Sequence, residues 1–361
     1  MAVLAGELAR LGRDVAIIVY PVPDPDPEID GRLTLVERAT RIGGDANGAR
    51  GIASEAARVM RALVRANARV VVVRGGKSVV GVIALYCWLR RRKLVFSSAN
   101  DFDFLDRADL TGQRKKVYEL GIRSAAAVVV QSERQAELAR RALPKTSASR
   151  IVRIPSFARQ VATKADGPPT DFFWVGRLID YKRPLLYAEL AAAVPDARFV
   201  LIPHLRLTQT PEQSDLLARL ESAATGVPNL DLQSPLPHAA LMETLARAVA
   251  VVNTSSYEGM PNTFLEAWSL GIPVLTLSFD PDDVVRDHGL GVAAGGSWQQ
   301  FVAGALKLWE SRFERDELSE RLRAYVRGAH SPEAVGLQWD ALLESLGVYR
   351  SDSVPRSGRR S

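Results

Sequence analysis

Val249-Ala-Val-Val-Asn253, followed by Glu258-Gly-Met-Pro-Asn-Thr-Phe-Leu-Glu266 and then Gly271-Ile-Pro273, is the stretch on which the architecture turns. The first run is short and apolar, the mark of a buried strand. Pro261 stands where a helix begins, because its missing N–H is not needed there and its fixed φ suits the first turn. Gly271 ends that helix and Pro273 blocks its continuation. The predicted unit is therefore strand, turn, helix, strand. It leaves the amides of residues 262–264 unpaired above the carboxyl end of the strand. A helix start of this kind attracts phosphate. Glu258 lies just before that anion site and Glu266 about a turn inside the helix. Carboxylates repel phosphate, so their expected partners are sugar hydroxyls.

The same alternation runs through the whole chain, and 361 residues exceed one ordinary core. Strands are expected at Asp14–Tyr20, Arg69–Val73, Lys93–Ser97, Ala126–Gln131 and Arg150–Ile154. Helical patterns fall between them, as in Gly51–Ala66 and Val79–Leu89. Phe157–Thr170 is polar, contains Gly167-Pro-Pro169 and reads as a linker. The pattern restarts at Phe172–Val175, Arg198–Ile202, Val249–Asn253 and Pro273–Leu277. This order predicts α/β architecture: two doubly wound Rossmann-like domains facing a central cleft, with ligands at the strands' carboxyl ends. The expected boundaries are 1–160 for the first domain and 171–335 for the second. A last helix at 331–347 packs back toward the first domain, and 348–361 is a disordered basic tail. Pro21–Asp30 reads as a loop.

Bulk properties narrow the function. The single cysteine, Cys87, excludes an intramolecular disulfide and sits in an apolar run, as a buried structural thiol would. Met1–Leu11 carries Glu7 and Arg10 and no long apolar region, so a cytoplasmic protein without a secretory leader is expected. The net charge is +6, concentrated partly in Arg90-Arg-Arg-Lys93, Arg114-Lys-Lys116 and the tail. Two readings remain open: a solvated basic face, or peripheral contact with anionic lipid at the inner membrane face. Nucleic acid is disfavoured, because the basic runs lack interleaved aromatics. His204, His238, His288 and His330 stand at unrelated spacings and read as surface or structural residues, so no metal site is expected.

The second chemical motif is Trp174-Val-Gly-Arg-Leu-Ile-Asp-Tyr-Lys182. A strand ends near Gly176. Arg177 then offers a planar fork for phosphate oxygens and Lys182 a mobile point charge. Together they could clamp a diphosphate and stabilise charge growing on it as it leaves. Combined with Glu258-Gly-Met-Pro-Asn and Glu266-Ala, the motif resembles the retaining glycosyltransferases of family 4, which have the GT-B fold. Val128–Gln135, Leu241–Ala248 and Asp283–Gly291 resemble further family segments.

The resemblance implies a sugar transfer from a nucleotide-sugar donor to an acceptor hydroxyl on a glycan, a lipid-linked molecule or a small molecule. It implies retention of configuration, with no cofactor and no bound metal. Arg177 and Lys182 would hold the diphosphate, with Glu258 on the donor sugar. Gly176, Gly259, Met260 and Pro261 would shape the site, the amides of Asn262 and Thr263 would contact sugar or phosphate, and Glu266 would take the ribose hydroxyls. Asn100 and Asp101, in Ser97-Ser-Ala-Asn-Asp101, are candidates for the acceptor side, a turn-forming role being the alternative. Arg74-Gly-Gly-Lys-Ser78 lacks the first glycine of a P-loop, residue 71 being Val, and is instead a candidate to place the acceptor. The sequon Asn253-Thr-Ser255 falls at a buried strand end and is discounted.

The chain departs from that family at its start. Met1–Gly12 reads as the later part of the first helix, so the family's opening strand and Gly-rich loop are expected to be missing. A non-catalytic or N-terminally shortened nucleotide-sugar-binding protein is therefore the alternative reading, and a sugar-phosphate phosphorylase a third.

Overall fold

The computed structural model describes residues 1–19, 33–37, 49–76, 78–105, 112–144, 150–158, 168–205 and 210–347. The Pro21–Asp30 loop, Lys77 and the tail beyond 347 lie outside them, as does most of the expected linker. The chain divides into two compact units. The first comprises Met1–Val130, Ala136–Ile154 and Glu333–Ser361, and the second Gln131–Gln135 and Pro155–Pro332.

The first unit opens with α1 (Ala2–Arg10), β1 (Val15–Val19), β2 (Leu33–Glu37) and α2 (Ala49–Ala66). It continues through β3 (Val70–Arg74), α3 (Val79–Leu89), β4 (Lys93–Ser97), α4 (Gly112–Arg123), β5 (Ala127–Val130), α5 (Glu133–Ala142) and β6 (Ile151–Arg153). Among the described residues all its pairings are parallel, but they form two sheets, β1-β2 and β3-β4-β5-β6. Val80, Tyr86, Phe96, Tyr118 and Val128 share the core of the larger sheet. The buried Tyr86 hydroxyl donates to the Leu63 carbonyl at 2.9 Å, so no polar group is stranded there. The final helix, which becomes α13 in chain order (Pro332–Ser345), lies against α1. A Cβ at Gly336 would meet Glu7 Cγ at 2.2 Å, and the Arg13 guanidinium forks onto Asp340 at 2.8 and 2.9 Å.

The second unit contains β7 (Asp171–Arg177), α6 (Pro184–Ala193), β8 (Arg198–His204), α7 (Pro211–Thr225) and β9 (Leu230–Leu232). After these come α8 (His238–Leu245), β10 (Ala248–Asn253), α9 (Asn262–Leu270), β11 (Val274–Thr276), α10 (Val284–Asp287), β12 (Gly291–Ala293), α11 (Trp298–Glu310) and α12 (Asp316–Ala329). Six parallel strands form one sheet in the order β12-β11-β10-β7-β8-β9. Alternate residues face opposite sides. Phe172, Trp174, Phe199 and Leu201 enter one core, and Phe173, Val175, Val200 and Ile202 the other. Apolar burial on both faces explains why these strands read as continuous hydrophobic runs.

Three strands escaped the sequence reading. β9 and β12 are three residues long and only partly buried, and β2 has an exposed, weakly patterned face. Asp283–Gly291, one of the segments that carry the family resemblance, contains α10 and runs into β12. Pro261 also requires a correction. It is not the first helical residue but the cap before it, at φ −65° and ψ 129°. Its fixed φ is equally compatible with an extended cap, which the spacing alone does not distinguish. Gly271 ends α9 at φ +78°, a conformation costly for other residues, and a Cβ there would strike the Arg323 guanidinium at 2.7 Å. No helix among the described residues is long and apolar enough to cross a membrane.

Candidate functional site

The chain leaves β7 in one direction toward β8 and β9, then returns to the opposite side of β7 with β10. That reversal is a topological switch point. In an open parallel sheet it leaves a crevice beyond the carboxyl ends of the two diverging strands. The strands in question are β7, which ends at Arg177, and β10, which ends at Asn253. Both motifs singled out in the sequence begin there.

The segments after β7 and β10 are tied together. Lys182 Nζ donates to Glu258 Oε1, a contact between residues 76 apart in sequence, and Ser255 Oγ donates to the same oxygen at 2.8 Å. Both charged side chains are largely withdrawn from solvent. Thr254 Oγ1 donates to the Lys182 carbonyl at 2.6 Å and accepts from the Trp174 indole at 3.0 Å. Tyr181 stacks on Tyr257 with centroids 5.0 Å apart, and the Tyr181 carbonyl accepts from Ser256 N at 2.9 Å. Arg177 donates to the Tyr181 hydroxyl at 3.0 Å. Burial pushes that hydroxyl's pKa up from its usual value, and Arg177 opposes the shift.

Arg183 was not foreseen. It adopts a left-handed conformation at φ +48° immediately before Pro184. Its guanidinium reaches the carbonyls of Thr254 at 2.6 Å and Ser255 at 3.1 Å, and Ser278 Oγ at 2.7 Å. One fork thus fastens the loop after β10 to the loop after β11. The only sequence signal was a third cation beside Lys182. The residue before a proline is biased toward extended backbone, which points away from the observed geometry.

The start of α9 also departs from expectation. Phe264 N donates to the Pro261 carbonyl at 3.1 Å, so its amide is occupied. The unspent donors are the amides of Asn262 and Thr263, two rather than three. Glu266 lies one turn further on, and its Oε1 pairs with His238 Nε2 at 3.0 Å. His238, read as a surface or structural residue, thus touches one of the two acids. Gly259 and Pro261 are buried and Met260 half-buried beside them, and Gly176 lies buried at the end of β7. Asn253 is buried, with its side-chain oxygen accepting from Ser255 N at 2.9 Å, as expected of a sequon without a glycan.

Asn100 and Asp101 belong to the first unit. There the Asp103 carboxylate organises a tight turn, accepting from Ala99 N at 2.6 Å, Asn100 N at 3.3 Å and Ser98 Oγ at 3.2 Å. Asp101 is buried and Asn100 half-buried in this turn. Burial lowers the Arg74 pKa, and the Asp103 charge opposes the shift. Cys87 is buried, which pushes its thiol up to about 11 and makes it a poor nucleophile. His330 is buried with Nδ1 2.8 Å from the Ser156 carbonyl. Among the described residues no group of three or more His, Cys, Asp or Glu side chains is placed to hold a metal ion.

Residues 169–311 match the family model of Glycosyl transferases group 1. Sucrose-phosphate synthase from Thermosynechococcus elongatus superposes with a TM-score of 0.72 at 16% identity, over 95% of this chain and 92% of that one. Anabaena HepE, solved with UDP and glucose, gives a TM-score of 0.72 at 14% identity, over 95% of each chain. A glycosyltransferase from Rickettsia africae gives 0.71 at 12% identity, over 97% of this chain and 94% of that one. No curated protein sequence matches the chain. The protein has the GT-B fold, and residues 169–311, within its second unit, are similar to Glycosyl transferases group 1.

Proposed function

We propose that the protein is a retaining glycosyltransferase of the family 4 type, using a nucleoside-diphosphate sugar and needing no metal. The observation that carries this reading is the convergence of Arg177, Lys182, Glu258 and the free amides of α9 at the β7–β10 switch point. Lys182 has three N–H donors and spends one on Glu258, leaving two for diphosphate oxygens. Glu258 engages lysine and serine through Oε1, leaving Oε2 for a sugar hydroxyl. Glu266, held by His238, takes the ribose hydroxyls.

In the reaction, the bond from the anomeric carbon to the diphosphate breaks. The acceptor oxygen bonds that carbon, and the acceptor's proton leaves with the nucleoside diphosphate. Negative charge grows on the departing phosphate, where Arg177, Lys182 and the Asn262 and Thr263 amides supply positive potential in place of a cation. The base is uracil in this reading, by analogy with HepE. The acceptor is a hydroxyl of a glycan, of a lipid-linked molecule or of a small molecule.

A second reading, donor binding without turnover, draws on the first unit, whose described strands form two separate sheets. Incubation with UDP-sugars and candidate acceptors, followed by mass spectrometry, separates the two. A new glycoside whose formation withstands EDTA supports the transferase. UDP-sugar binding with neither transfer nor hydrolysis supports the second reading, and no binding removes both.

A further inference from the structure

The helices α3 and α4 cover one face of the larger sheet in the first unit, and their backbones touch. A Cβ at Gly81 would meet Val117 Cγ1 at 2.3 Å, and one at Gly121 would meet Gly81 N at 2.8 Å. From this contact two apolar lines run along the outer surface. On α3, Leu85, Trp88 and Leu89 follow Gly81 at i+4, i+7 and i+8, so they share its helix face. They are 52%, 76% and 56% exposed. On α4, Val117 and Leu120 flank Gly121 at 41% and 68% exposure. Single exposed apolar residues are ordinary, but here the residues flanking one helix–helix contact are large, apolar and uncovered.

The surrounding charge selects the partner. α3 carries no acid and runs directly into Arg90-Arg-Arg-Lys93. The first two turns of α4 carry Arg114, Lys115 and Lys116. Lys116, Leu120 and Arg123 then recur at i, i+4 and i+7, placing cations on either side of the exposed leucine. Glu119 is the one acid on α4, and it sits 3.5 Å from Arg123. A tryptophan and leucines ringed by arginine and lysine match a bilayer surface. Aromatic and aliphatic groups enter the headgroup boundary, and the long basic side chains extend to lipid phosphates. A purely apolar partner would gain nothing from the cations, and nucleic acid nothing from the leucines.

We propose that the apolar face shared by α3 and α4, with its rim of arginine and lysine, docks the protein on an anionic phospholipid bilayer. The protein lies on the surface, since helices of 11 and 12 residues are too short to span.

Sedimentation of the full chain with sucrose-loaded vesicles tests this. The chain should bind phosphatidylcholine vesicles containing phosphatidylglycerol, release in high salt, and ignore phosphatidylcholine alone. The Trp88→Glu/Leu120→Glu double variant should bind at least roughly tenfold more weakly. Arg90→Gln/Arg91→Gln should weaken binding less and reduce its salt sensitivity. These residues are exposed, so the melting temperature should hold, and Trp88→Ala provides a milder variant if the double one unfolds. Equal binding to both vesicle types, binding to neither, or binding that survives all the variants would overturn the proposal. So would a dimer in solution that the Glu variants make monomeric, since the face would then join two copies of the chain.

Discussion

The two units use the same strand–helix alternation, yet they bury their strands differently. In the second unit the inner strands β11, β10, β7 and β8 are almost wholly buried and belong to one sheet. In the first, β4 and β5 are buried, but β1 and β3 are half-exposed almost throughout, and among the described residues β1-β2 forms its own sheet. Binding groups must be held to within a fraction of an ångström, which calls for rigid support. The Lys182–Glu258 pair and the Arg183 fork hang from the two central strands of the continuous sheet. The half-exposed strands β1 and β3 of the first unit are expected to open more readily than the buried strands of the second.

Core truncation should show this contrast most strongly. Trp268 is fully buried, and its indole donates to the Leu290 carbonyl at 3.0 Å. Trp268→Ala should cost about 3–5 kcal/mol in denaturant unfolding, whereas Val72→Ala on the half-exposed β3 should cost about 1 kcal/mol or less. Equal losses would break the comparison.

Arg183→Ala comes next. It unties the loops after β10 and β11, and nucleotide affinity measured by calorimetry should fall roughly tenfold. Arg183→Lys should not restore it, because an ammonium group cannot reproduce a planar fork reaching Thr254, Ser255 and Ser278. A smaller effect is expected at His238. It is substantially exposed, so His238→Ala should weaken nucleotide binding only about two- to fivefold and leave the unfolding midpoint in place. A loss as large as that from Arg183→Ala would mean that His238 itself contacts the nucleotide.

The smallest effect concerns pH. Burial holds the His330 pKa below its ordinary value, while the Ser156 carbonyl opposes the shift. The unfolded chain therefore binds the proton more readily. Stability should be unaffected by this group at high pH and decline as pH falls below about 6.5, until the folded form also protonates. His330→Gln should flatten that part of the stability profile. An unchanged slope would remove His330 as its source.

Much of the second unit was legible because its strands are buried on both faces and so leave uninterrupted apolar runs. β7, β8, β10 and β11 were expected within a few residues of where they lie. β9, β12 and β2, none of them buried throughout, leave no such signal. Arg177, Lys182, Glu258 and Glu266 could be named from residue chemistry, but the meeting of Lys182 with Glu258 follows from β10 lying beside β7, which local sequence does not state. Arg183 was hidden by a left-handed backbone, and His238 by a contact with Glu266 28 residues away. The turn at Asn100 and Asp101 was foreseen as an alternative to an acceptor role, and its organiser, Asp103, was not.

The most direct test of the proposed donor site is calorimetric titration of UDP, GDP and ADP into the full chain and into Arg177→Ala and Lys182→Ala variants. The account predicts that one of these nucleotides, UDP first, binds without added metal. It also predicts that each substitution weakens that binding roughly tenfold or more, since each removes a charge-assisted contact to the diphosphate. Failure of all three to bind the unaltered chain, or equal binding in both variants, would contradict a diphosphate site at the β7–β10 switch point.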